Sequence, residues 1–133
     1  MGIQFETSRC SFQLVASQSH VPDAALGRLK ATIDTSVAVV YGIDVTLIQG
    51  SSRGQAHVAL ARQVAMYLAH CVFGIPHADV GRIFNRDRTT VRHACALVED
   101  RRDDPVFDRT LSNLEEIVGR LARVSGIAGV GEL

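Results

Sequence analysis

A chain of 133 residues, 47% of them apolar, has the material for about one domain with a real core and is not the composition of a disordered segment. No apolar run approaches the roughly 20 residues of a membrane helix, and no basic start followed by an apolar stretch marks a signal peptide. The formal charge is zero, a balance that by itself argues against nucleic acid, yet it is a sum over segregated halves. Three cysteines, Cys10, Cys71 and Cys95, form no CxxC pair. They point to free thiols in a reducing compartment, so a cytoplasmic, nucleoid-associated location is expected, with no membrane.

In chain order, residues 1–22 alternate loosely and then break at "SQSHVPD", and are read as an N-terminal arm. From Asp23, "AALGRLKATIDTSVAVVYG" places Leu26, Leu29, Ile33 and Val37 on one stripe, with Gly42 as the stop, which predicts a helix. "IDVTLIQGSSRGQ" offers one short helical turn and then a loop. A long helix is predicted from Gln55 or Ala56 to about Val72, with Val58, Ala61, Ala65, Leu68 and Ala69 lining one side and Gly74 ending it. "IPHADVGRIF" repeats apolar residues at Val80, Ile83 and Phe84, the i, i+3, i+4 pattern of a short helix. After a tight turn at Asn85 a helix spans 88–101. Asp104-Pro105, a cap followed by a first-turn proline, opens a last helix to about Arg123, and 124–133 reads as a flexible tail. The expected fold is an all-α compact domain of five to six helices, at 23–123, containing a helix-turn-helix.

Between Ser51 and Ala94 six arginines stand against two acids, and between Glu99 and Glu116 seven acids stand against three arginines. A phosphate backbone responds to the local patch, not to the sum. The basic half culminates in "FNRDRTTVRHAC", residues 84–95. Asp87 fits an N-cap that accepts from Thr89 or Thr90. Val91, Ala94, Cys95 and Val98 follow at buried spacing, which turns Thr89, Arg92, His93 and Ala96 outward, with Arg88 flanking. Arginine can grip guanine bidentately, threonine can touch a thymine methyl or a phosphate, and the small Ala96 lets a helix sit deep in the major groove. An ordinary surface helix is also polar outside and apolar inside, so pattern alone leaves both readings open.

His57, His70, His77 and His93 with Cys71 and Cys95 fit no paired zinc spacing. No nucleophile and base share a supporting context. Neither a metal, a cofactor nor an enzymatic activity is expected. Glu99, Asp100, Asp103 and Asp104 read as a solvated acidic turn that repels DNA or receives a basic partner, and the stripe Leu111, Leu114, Ile117, Val118, Leu121 reads as core.

"RDRTTVRHAC" resembles the C-terminal DNA-binding domain (domain IV) of the bacterial chromosomal replication initiator DnaA, with Arg86, Asp87, Thr89, Thr90, Val91, His93 and Ala94 in register with its R-D-H-T-T-V-x-H-A pattern. "ARQVAMYLAH", "DVGRIF" and "VAVVYGIDVTLIQGSSRG" resemble its upstream elements, so the resemblance runs from about Asp23 to Val118. It implies base contacts at the positions of Asp87, Arg88 and Thr89. It implies phosphate contact or support of the helix at Arg62, Gln63, Thr90 and His93, and a minor-groove arginine in the loop before the long helix. Adding Arg92 to the base readers, and Arg53, Gln55, His70 and Arg86 to the backbone or minor-groove set, completes the candidate site.

The departures are Arg88 in place of the family's histidine, a turn one residue shorter, Arg92 at a usually neutral position, His70 in place of lysine, and Gly54 where the minor-groove arginine is expected. A related but altered target follows. No G-x-x-x-x-G-K-[ST] motif occurs, so an ATP-driven initiator is not expected, and the chain looks like the reading domain standing alone. The expected function is sequence-specific binding of double-stranded DNA by a transcriptional regulator, such as an activator of gene transfer agent or phage-like genes. The alternatives are a replication regulator competing at initiator boxes and, in another class, a protein-interaction module. A protein partner would use the N-terminal arm or the acidic C-terminal helix.

Overall fold

The structure, a computed structural model, describes residues 23–50 and 55–126. The N-terminal arm, Arg53 with its neighbours at 51–54, and the tail residues 127–133 lie outside the described residues. Six helices follow one another: α1 Asp23–Tyr41, α2 Val45–Gln49, α3 Ala56–Cys71, α4 His77–Phe84, α5 Arg88–Arg101 and α6 Pro105–Val124. Among the described residues there is no strand, and the all-α expectation holds.

Local chemistry sets the boundaries. α1 ends where Gly42 turns left-handed at φ +66° and the Ile43 amide returns to the Ala38 carbonyl at 2.9 Å, satisfying a carbonyl the helix would otherwise leave orphaned. Asp44, Asp87 and Asp104 cap α2, α5 and α6 by accepting from the amides of Thr46, Thr89 and Val106. Each places a carboxylate at the positive end of a helix.

α3 is the hub and packs against α1, α2, α4 and α5, while α6 closes the fold against α1. The sequence stripe foresaw one buried side of α3. In the fold it is buried nearly all round, with Val64, Met66 and Tyr67 inside as well, because neighbours cover it from several directions. α6 buries Phe107, Leu111, Leu114, Val118 and Ala122. Ile117 and Leu121 of the expected core stripe are exposed, since α6 has a partner on one side only and its two outermost apolar positions turn past it.

Polar residues enter the core in pairs. Asp34 is fully buried and ion-paired with Lys30, whose ammonium sits 4.6 Å from the centre of the Phe84 ring, so one cation links α1 to α4. Burial raises the Asp34 pKa against the opposing effect of Lys30. Among the described residues the expected free thiol is found at Cys95, which is buried, with burial pushing its pKa up to about 12. The expectation fails at Cys71, which is buried and disulfide-bonded, a pairing that sequence spacing without a CxxC motif did not signal.

Candidate nucleic-acid interface

The turn between α4 and α5 decides how the recognition helix is presented. Asn85 adopts the left-handed conformation at φ 57°, ψ 48°, one of the few non-glycine residues to do so readily. The Asn85 amide returns to the Arg82 carbonyl at 3.4 Å and the Arg86 amide to the Gly81 carbonyl at 2.8 Å, a Schellman closure made in minimal length. Gly81 makes that closure possible. A Cβ there would meet the Arg86 carbonyl oxygen at 2.4 Å, inside any allowed contact. One asparagine thus closes the turn, which is one residue shorter than in the pattern it resembles.

α5 then divides as its 3.6-residue period requires. Val91, Ala94, Cys95 and Val98 are buried, and Arg88, Thr89, Thr90, Arg92, His93 and Ala96 are exposed together. Asp87 is exposed, and its Oδ2 accepts from the Thr89 amide at 3.0 Å. The structure therefore gathers Asp87, Arg88, Thr89, Thr90, Arg92 and His93 on the free face and first turn of one rigid helix.

The remaining candidates are placed differently. Arg62 is only 7% exposed. Its Nε donates to the Ile48 carbonyl at 3.1 Å and its Nη2 to the Leu47 carbonyl at 2.7 Å, both within the protein. Arg86 is half-buried and donates to the carbonyls of Phe84, Asn85 and Gly50 at 3.2–3.4 Å. Burial, then the nearby Arg86, lowers the Arg62 pKa. These two guanidiniums converge on the carbonyl end of α2, the negative end of a helix dipole, and fix it against the helix-turn-helix.

Gln55 is exposed at the start of α3, and Gln63 is half-buried on it. His70 donates its Nδ1–H to the Ile75 carbonyl at 2.8 Å and stacks on His77, ring centres 3.9 Å apart. Burial, then His70 and Arg92, lowers the His77 pKa to about 4, so His77 is neutral near pH 7. Arg53 is outside the described residues.

Of the four acids read as a solvated turn, Asp100, Asp103 and Asp104 are exposed, while Glu99 is drawn into a network at the far end of α5. Arg102 is buried and donates to Asp108 at 2.5 Å, Glu115 at 2.8 Å, Ser112 at 3.0 Å and the Tyr67 hydroxyl at 3.1 Å. The Tyr67 hydroxyl in turn donates to Glu99 at 2.6 Å. Burial alone would lower the Arg102 pKa, but bonds to Glu115, Asp108 and Tyr67 raise it on balance. This network ties α5 to α3 and α6, and of the acids expected to face solvent it uses Glu99. Tyr67 and Arg102 escaped sequence reasoning because "EDRRDD" does not distinguish Arg101 from Arg102, and Tyr67 is one more apolar-compatible residue within an apolar run.

No helix of the described residues is long and apolar enough to cross a membrane. No group of three or more potential metal ligands occurs among them. A short helix, a left-handed turn and a capped basic helix with an open outer face define a helix-turn-helix protein of the DNA-binding class. The profile of the family described as bacterial dnaA protein helix-turn-helix matches residues 31–98, and the chain belongs to that family.

Similar relatives include the chromosomal replication initiator protein DnaA of Symbiobacterium thermophilum, 38% identical over 93 residues, covering 68% of this chain and 19% of the relative. That of Deinococcus radiodurans is 35% identical over 79 residues, covering 59% and 17%. DnaA 2 of Chlamydia trachomatis is 39% identical over 66 residues, covering 50% and 14%. The chain thus spans less than a fifth of the length of these relatives.

Proposed function

We propose that the protein is a sequence-specific binder of double-stranded DNA that regulates transcription, with α5 laid in the major groove and residues 23–123 as the reading unit. The carrying observation is the outward face of α5, where Arg88, Thr89, Arg92 and His93 stand exposed on a helix whose apolar side is wholly buried. Asp87, Arg88, Thr89 and Arg92 read base edges. Thr90, His93, Gln63 and Gln55 lie toward the backbone, with His70 behind them, and Arg53 serves the minor groove. Arg62 and Arg86 act chiefly by holding α2 in place.

Charge layout supports one orientation. Uncommitted arginines occupy the start of α5, and Asp100, Asp103 and Asp104 crowd its end, so a polyanion is admitted at the first turn and repelled at the last. Chromosome binding of this kind places the protein in the cytoplasm at the nucleoid. The resemblance further suggests gene transfer agent or phage-like genes as targets of activation.

A second reading, competition at replication-initiator boxes, is favoured by the relatives, whose names are those of chromosomal replication initiators. Titration of duplex DNA at rising salt tests DNA binding: log affinity should fall linearly with log salt, with a slope of several phosphate contacts. Salt-independent or absent binding would reject both readings. Genome-wide occupancy separates them, with promoters expected for the first and origin boxes for the second.

A further inference from the structure

The four arginines from α4 to the middle of α5 have unequal circumstances. Arg82 pairs with Asp23 at 3.2 Å and Asp79 at 3.4 Å, and Arg86 is bound to three carbonyls. Arg88 and Arg92 are exposed, and neither makes a hydrogen bond or ion pair with any described residue. They lie four residues apart on one helix, so their Cα atoms are about 6 Å apart along the axis and about 40° apart around it. Both therefore point from the same flank of the outward face. Their backbone is held from both ends: the Asp87 cap fixes the first turn, and the Tyr67–Arg102 network fixes the last. His77, stacked on His70, lies near enough to Arg92 to feel its charge.

A guanidinium is a planar fork that cannot lose its proton, and its best planar match on a DNA edge is the O6 and N7 pair of guanine. B-DNA advances about 3.4 Å per base pair, so two forks about 6 Å apart on one flank address base pairs two steps apart. We infer that α5 reads two guanines on one strand, separated by a single base pair, one through Arg88 and the other through Arg92. This inference rests on the DNA-binding reading above and specifies its target. A phosphate contact would require only the positive charge, whereas guanine reading requires the fork, and that difference makes the inference testable.

The experiment is selection from a random duplex library with the full chain and with R88K and R92K, which keep the charge and remove the fork. Wild type should enrich a motif holding G, any base, G. R92K should lose the preference at one guanine and R88K at the other, each binding the wild-type site roughly 5- to 150-fold more weakly with little change in salt slope. Replacing either guanine by 7-deazaguanine, which keeps base pairing and removes N7, should weaken wild type at both positions and each variant at one only. A wild-type motif without that guanine pair overturns the inference, as does an R92K protein with unchanged motif and affinity. Failure of the folded wild type to bind any duplex in a salt-dependent way overturns the DNA-binding reading itself.

Discussion

The two ends of α5 carry the same residue type in opposite conditions. At its start Arg88 and Arg92 stand exposed, with no acid among the described residues paired to them. Just past its end Arg102 is 8% exposed, enclosed by Asp108, Glu115, Ser112 and the Tyr67 hydroxyl. The first pair is available to an outside anion, and the second arginine is cancelled and used as a structural pin. Net charge sums over both and so conceals the distinction. Arginine density alone would have counted all three as candidate DNA contacts, and burial with hydrogen-bond partners removes one of them.

The sharpest way to break this contrast is Arg102→Ala. It removes the guanidinium donors that Asp108, Glu115, Ser112 and the Tyr67 hydroxyl accept from. Both acids keep some exposure, so the expected loss is roughly 2–3 kcal/mol, below the full penalty for an orphaned buried charge. Urea unfolding should show it as a lower midpoint with unchanged slope. Gly81→Ala attacks the presentation of the other end. Its methyl group collides with the Arg86 carbonyl, and the turn can yield only by moving α5 against α4. About 2 kcal/mol of destabilisation is expected, together with DNA binding weakened beyond what lost stability explains, measured where the variant is still folded.

Acid should act more mildly. His77 has its folded pKa lowered from 6.5 to about 4, so between those values the unfolded chain binds a proton that the folded chain refuses. Stability is therefore fully present above pH 6.5 and declines as pH falls toward 4, by about 1 kcal/mol once solvent screening is allowed for. His70 shifts in the same direction. Thermal melts of wild type and His77→Gln across that window should differ in slope, and parallel curves would exclude His77 as the source. The smallest effect on stability is expected at the open end: Arg88→Ala and Arg92→Ala should change unfolding free energy by less than about 0.5 kcal/mol. A larger loss would show that these arginines are not free.

Arg62 shows how a sequence reading needed the fold to be completed. Its place in "ARQVAMYLA" suggested a phosphate contact or a support. With its two donors engaged by the Leu47 and Ile48 carbonyls, Arg62→Ala is expected to act first on stability, by orphaning those carbonyls at about 1–3 kcal/mol. A variant that keeps its stability but loses DNA affinity would restore the phosphate role.

Sequence alone determined the helices, the caps at Asp87 and Asp104 and the face of α5. These are decided within a few residues: a carboxylate three atoms from an amide, a left-handed glycine, an apolar residue every third or fourth position. Asp87, Asn85 and the run from Arg88 to Cys95 were legible for that reason, as was the family resemblance they carry. Tertiary structure decided which charges remain available. It brought the Leu47 and Ile48 carbonyls to Arg62 and Gly50 to Arg86, closed the Tyr67–Glu99–Arg102 network across three helices, and left Ile117 and Leu121 outside the core. Those outcomes depend on atoms brought together from 13 to 36 positions apart in the chain, and local periodicity does not encode separations of that kind.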